Sequence, residues 1–181
     1  AKNYEIGVKA ELAGGRLLLT ASAFRNERDS YRVASNEPGV PDQQMDGRSR
    51  VDGIAVGAVG RVTSAWSITA NYTYLKPKLI QSVSNFCLAN PGVNGCGNSV
   101  AFPDPARGAP IQNTPEHSGS LFTTYKLPFG LSLGYGFTYQ GSFAFNLPTA
   151  TARTIYRSDD YLVHNAFLAY DFTKTLSAQV N

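Results

Sequence analysis

Leu131-Ser132-Leu133-Gly134-Tyr135-Gly136-Phe137-Thr138-Tyr139-Gln140 alternates without a break. Leu131, Leu133, Tyr135, Phe137 and Tyr139 point one way, and the small or polar residues between them point the other. That is the period of a strand whose two faces meet different surroundings. Upstream, Trp66, Ile68, Ala70, Tyr72 and Tyr74 alternate with Ser67, Thr69, Asn71 and Thr73, and Tyr4, Ile6, Val8, Ala10 and Leu12 with Asn3, Glu5, Gly7, Lys9 and Glu11. Leu17, Leu19, Ala21 and Ala23 face away from Thr20 and Ser22, with Leu18 and Phe24 blurring the pattern. Ile54, Val56, Ala58 and Val62 are read opposite Asp52, Gly57 and Arg61, with Val59 on the less expected side. Leu121, Thr123 and Tyr125, then Leu162, Ala166, Leu168 and Tyr170, then Leu176, Ala178 and Val180 complete eight strands.

The connections alternate too. Four are tight, at Ala13-Gly14-Gly15, Thr63-Ser64-Ala65, Pro128-Phe129-Gly130 and Asp171-Phe172-Thr173-Lys174; three are long, over Val33–Arg48, Leu79–Pro115 and Ala144–Ser158. Short then long, strictly interleaved, is what an antiparallel up-and-down transmembrane β-barrel produces when its two rims face different compartments. Strands of ~10 tilted residues match such a membrane's apolar band. The apolar faces so assigned hold no Lys, Arg, Asp or Glu, as expected where a charge near the lipid midplane costs ~2–4 kcal/mol. His164 is the exception on that side. Tyr4, Trp66, Tyr74, Tyr125 and Tyr170 fall near strand ends, where aromatic girdles form.

Composition agrees with a membrane sheet. Only 16% of the 181 residues are charged, against ~25% in soluble domains, while ten Tyr, ten Phe, seventeen Gly and ten Pro supply aromatics and turns. No apolar run approaches the ~20 residues of a spanning helix. A net charge of +3 is too small and scattered for a nucleic-acid partner. Ala1–Glu11 is charged and lacks the apolar core of a signal peptide. Because the chain opens and closes inside strands, the expectation is a segment cut from a larger barrel. Cys87 and Cys96 flank a short polar turn and are the only cysteines, which reads as a local disulfide formed in an oxidising compartment. Zinc is the rival, but neither His117 nor His164 stands at ligand spacing.

Tyr4-Glu5-Ile6-Gly7-Val8-Lys9 with its glycine turn, Val51–Gly57, Trp66–Tyr74, Asn113-Thr114-Pro115-Glu116-His117 and Tyr161–Tyr170 together resemble successive barrel strands of the TonB-dependent siderophore receptors, closest to the catecholate type. The resemblance spans the whole chain. It implies a barrel of about 22 strands with a plugged lumen, eight of them here, near the C-terminal end with at least the final strand beyond residues 1–181. It also implies a bacterial outer-membrane location, a ferric siderophore as transported ligand rather than cofactor, and energy supplied by TonB through an N-terminal plug region that has no counterpart in this stretch. Outer-membrane lipid and lipopolysaccharide are the remaining expected partners.

No catalytic or metal constellation is read. Gly134-Tyr135-Gly136 precedes no helix, as a nucleotide-binding loop would require, and its glycines are expected to ease curvature. Asp159-Asp160 reads as an exposed loop end. The loops and their flanks instead carry arginines: Arg25, Arg28 and Arg32, then Arg48 and Arg50, then Arg107, Arg153 and Arg157. Aromatics accompany them, among them Tyr31, Phe86 and Phe143. Planar guanidinium groups attract and stack on an anionic catecholate, so the ligand-binding candidates are Phe102, Arg107, Phe145, Arg153, Tyr156 and Arg157. Taken singly, each arginine is better explained by lipopolysaccharide phosphates or by carboxylates such as Glu27, Asp29 and Glu37. A passive porin or adhesive barrel is the alternative function, and a soluble carbohydrate-binding sheet a distant third.

Overall fold

A computed structural model describes residues 1–181. Eight strands form one sheet: β1 (Lys2–Leu12), β2 (Leu17–Ala34), β3 (Gln43–Arg61), β4 (Trp66–Gln81), β5 (His117–Lys126), β6 (Leu131–Gln140), β7 (Tyr161–Asp171) and β8 (Ser177–Val180). Each pairs antiparallel with its sequence neighbours in the order β1 to β8, so the sheet is an unclosed part of a barrel. Helix is confined to α1 (Asn85–Ala89) and a 3-10 turn at Val93–Gly95, inside the longest connection.

The register sorts the residues onto two faces. One row runs Ile6, Ala23, Ile54, Tyr74 and His117; the next but one in each strand runs Val8, Ala21, Val56, Tyr72, Gly119, Tyr139 and Leu162. These and the parallel rows below them make one continuous apolar face, which faces lipid and is called outer here. Tyr4, Trp66, Tyr74, Tyr125 and Tyr170 all fall on it.

Both histidines and the tryptophan of this face have polar partners on it. The Tyr135 hydroxyl and His164 Nδ1 are 2.8 Å apart, and Tyr72 and His117 Nδ1 are 2.7 Å apart. Trp66 Nε1 donates to Thr123 Oγ1 at 2.7 Å. His164 therefore faces the apolar side with a partner, which removes much of the cost of placing an imidazole there.

The inner face is polar and small, with rings laid over glycines. Phe167, Phe122 and Phe24 occupy the space a Cβ would take on Gly134, Gly136 and Gly53 of neighbouring strands. Phe24 thus belongs to this face and covers bare backbone. Gly134 and Gly136, expected to serve curvature, make room for those rings.

Three readings from sequence need correction. Asp52 lies on the same face as Ile54, not opposite it, because Asp52 pairs with Arg25 two positions beyond the pair of Ile54 with Ala23. The outer face therefore ends in charges at one rim. β2, β3 and β4 run 18, 19 and 16 residues, well past the ~10 that cross the apolar band, and so shorten the first long connection to residues 35–42. Two register shifts around Tyr31 let that ladder continue, in polar sequence without alternation. Val62 and Leu176 fall in turns rather than strands.

Two of the tight turns share a device. Thr63 Oγ1 accepts from the N–H groups of Ala65 and Trp66, and Thr173 Oγ1 from those of Thr175 and Leu176, the local side-chain turn of Ser and Thr. At the β3 end Gly60 has φ 136 and lies against the Arg16 carbonyl, where no side chain fits.

Tyr135→Phe is expected to destabilise the full-length barrel in lipid by about 1–3 kcal/mol, the cost of one unsatisfied polar group. Adding His164→Leu removes the orphan and should restore most of it. Equal stability of wild type and Tyr135→Phe in reversible unfolding would show that the pair does not form in the membrane.

Candidate functional site

All three long connections leave the same rim: loop 1 (35–42), loop 2 (82–116) and loop 3 (141–160). Loop 2 is built on its cysteines. Cys87 in α1 and Cys96 just after the 3-10 turn are bonded and both buried. Ser84 caps α1, accepting from the Cys87 N–H at 3.2 Å. Its hydroxyl also donates to the Ser35 carbonyl at 2.7 Å, and so ties loop 2 to loop 1. Buried Asn98 donates to the carbonyls of Cys87 and Pro103 and accepts from the Gly92 N–H.

Polar bridges anchor this unit to the strand tops. Asp46 accepts from the Asn85 N–H and side-chain amide. Gln81 receives Arg48 Nη2 at 2.9 Å and donates to Val83 and Asn85, while Tyr31 donates to the Gln81 carbonyl at 2.9 Å. Asp104 accepts from the Ser82 N–H and hydroxyl. Under these bridges Leu79, Ala106 and Ala109 form the apolar centre, with Tyr31, Ile111, Leu147 and Ile155 packed against it. Loop 3 thereby rests on loop 2.

The six candidate residues separate into three places. Arg153 and Phe102 meet: the guanidinium carbon lies 4.3 Å from the ring centroid, and Nη1 donates to the Pro105 carbonyl at 3.3 Å. Phe145, Tyr156 and Arg157 lie on the two arms of loop 3. Those arms are joined by the Phe145 N–H to Tyr156 carbonyl bond and by a bridge between Ala144 and Arg157. Phe145 and Tyr156 are 54% and 67% exposed, so their rings are free to meet a ligand. Arg157 reaches Glu116 at 4.0 Å and Ser142 at 3.4 Å. Arg107 is exposed and makes no ion pair or side-chain hydrogen bond. The six lie on the loops of the rim, away from the main grooves of the sheet surface.

The wider arginine set divides. Arg25 and Arg50 are on the outer face, pointing away from the barrel interior, and Arg48 is committed to Gln81. Arg28 lies 5.8 Å from the Tyr31 ring centroid. Glu27, Asp29 and Glu37 hold none of the ion pairs; Asp52 and Glu116 do. Ser84, Asn98, Gln81 and Asp104, which organise the rim, went unread in the sequence. The one available signal was Ser84 three residues before Cys87, an N-cap spacing.

Residues 1–181 match throughout the family model described as TonB dependent receptor-like, beta-barrel. The catecholate siderophore receptor Fiu of Escherichia coli K12 is 30% identical over 181 residues, which are all of this chain and 21% of that protein. Among solved structures, the siderophore receptor PiuA from Acinetobacter baumannii superposes with a TM-score of 0.76 at 27% identity, over 98% of this chain and 23% of that one. The alcaligin outer-membrane receptor FauA from Bordetella pertussis gives 0.64 at 27% identity, over 98% and 26%. The chain thus spans between a fifth and about a quarter of the length of these relatives.

Reduction of Cys87–Cys96 in the full-length protein is expected to weaken protection of the loop 2 amides by about 2–3 kcal/mol, the chain-entropy value for so short a ring. The strand amides should be unaffected. Hydrogen exchange with and without reductant reads this directly, and unchanged loop 2 exchange would show that the polar bridges alone hold the loop.

Proposed function

The chain belongs to the TonB-dependent receptor β-barrel family, and from that footing we propose that the protein of which it is a part imports a ferric siderophore, of catecholate type, across the outer membrane. The observation that carries this is the match along every residue to a receptor whose name specifies catecholate siderophores. The rim supports it. If the four tight turns face the periplasm, the three long loops face the medium, and they present guanidinium groups and open aromatic rings to whatever arrives there.

No bond need be made or broken on the ligand by this segment; the matched relatives are transport receptors. The siderophore's organic shell encloses the iron, so recognition falls to residues that suit flat, anionic catecholate rings. Arg107 is exposed and holds no ion pair, and Tyr156 and Phe145 supply apolar walls. Arg153, already over Phe102, leaves one guanidinium face for a second aromatic ring. Energy enters through TonB acting on a plug domain encoded outside residues 1–181. A passive pore fits the same strand pattern, but it is the weaker reading because the matched relatives are receptors.

Replacing Arg107, Arg153 and Arg157 together by Ala in the full receptor should weaken ferric catecholate binding at least about tenfold, some 1.4 kcal/mol. Fluorescence titration measures it. Unchanged affinity would remove these three from the site. Failure of the wild-type receptor to bind any ferric siderophore would remove the function.

A further inference from the structure

Between its two bonded cysteines loop 2 reads Leu88-Ala89-Asn90-Pro91-Gly92-Val93-Asn94-Gly95, and Asn94 is the one asparagine of the chain followed by glycine. An asparagine side chain carries an electrophilic carbon, Cγ, that the main-chain nitrogen of the next residue can attack, closing a succinimide ring. A side chain on that next residue obstructs the approach, and glycine has none.

The fold leaves this pair open. Asn94 and Gly95 are both exposed, while Cys96 beside them is buried. Asn94 is left-handed, at φ 51 and ψ 36, and Gly95 follows at φ 78. Ring closure needs rotation about the Cα–C bond of Asn94, and the surroundings permit it. Even a Cβ at Gly95 would meet nothing nearer than Asn36 Nδ2, at 3.4 Å. The side-chain amide of Asn94 holds no hydrogen bond, whereas those of Asn71, Asn85, Asn98 and Asn146 are committed to partners. Its main-chain carbonyl accepts from Asn36 Nδ2 at 3.1 Å. That bond polarises the peptide group whose nitrogen must lose a proton to attack.

Other positions supply the contrast. Asn113 is also exposed and left-handed, at φ 55, but the branched Thr114 follows it. Asp46-Gly47 and Asp52-Gly53 could cyclise by the same route, but both lie within β3, and their glycines are buried against the rings of Tyr31 and Phe24.

We propose that Asn94 is a site of spontaneous modification, converted in the folded receptor to isoaspartate and aspartate. The Gly95 nitrogen gives up its proton and bonds to Cγ of Asn94; the Cγ–Nδ2 bond breaks and ammonia leaves. Water then opens the imide, at the main-chain carbonyl to give isoaspartate or at Cγ to give aspartate, and is the only co-reactant. Isoaspartate adds a methylene to the main chain inside the ring closed by Cys87–Cys96. It also sets a new carboxylate beside Asn36, at the joint between loop 1 and loop 2. The proposal does not depend on which ligand the receptor carries.

The test holds the full-length receptor in detergent at mildly alkaline pH in heavy-oxygen water, with circular dichroism before and after to show that it stays folded. Mass spectrometry of a digest reads amide-to-acid exchange at each asparagine, and methylation by a protein isoaspartyl methyltransferase reads the isomer. Asn94 should convert at least about tenfold faster than Asn113, a barrier lower by about 1.4 kcal/mol. It should take up heavy oxygen and yield isoaspartate, and Asn94→Gln should abolish the methylation of this segment. No conversion at Asn94, an equal rate at Asn113, aspartate without isoaspartate, or methylation that persists in Asn94→Gln would each overturn the proposal.

Discussion

Inside the hydrocarbon of a membrane a backbone N–H or C=O has no water to turn to, and each one left unpaired costs several kcal/mol. The rest of this structure depends on that constraint. Of 100 backbone hydrogen bonds, 74 lie within helices and strands, so the ladder carries the fold. Side-chain burial does little by comparison. Val33, Leu79, Cys87, Cys96, Ala106, Ala109 and Ala144 are the buried apolar residues, and every one of them is at the loop end. A soluble sheet would need a core beneath it; this one needs lipid on one face and a lumen on the other.

With pairing obligatory, side-chain period becomes the second constraint. A one-residue slip would put Lys9 and Glu5 into lipid and Val8 and Ile6 into the lumen, so register is strongly specified. The tyrosine–histidine pairs show how an imidazole is admitted to the lipid side, with a partner already in place. The Phe-over-Gly contacts do the complementary work inside, covering backbone where a small residue lets the strands lie close. Beyond the membrane the constraint lapses. There the strands continue with bulges, charges appear on both faces, and the loops are held by a disulfide and polar bridges around the small Leu79 centre.

That division explains what was legible in the sequence. The eight strands, their order and the cysteine pairing could be read because lipid imposes a strict period and because two cysteines leave one partner each. The tops of β2 and β3 could not, since Asn26–Ala34 and Gln43–Arg50 lie beyond the apolar rows and carry no alternation. Asp52 shares the face of Ile54, two positions away, where its charge alone suggests the opposite one. The candidate ligand residues were chosen by type and loop position. The structure brings Arg153 to Phe102 and Pro105 and sets Phe145 beside Tyr156, while Arg107 stands apart; contacts across 48 residues or more leave no local signal.

The central claim is that the face bearing Ile6, Val8, Ala21, Val56 and Tyr72 lies in lipid. Spin labels placed one at a time from Leu18 to Phe24 of the full-length receptor in bilayers test it most directly, by comparing collision with oxygen, which concentrates in lipid, and with a water-soluble nickel chelate. Labels at 19, 21 and 23 should favour oxygen, and labels at 18, 20, 22 and 24 should not, a period of two. A flat profile, or the opposite phase, would contradict the assignment of faces on which the membrane reading and the rim both stand.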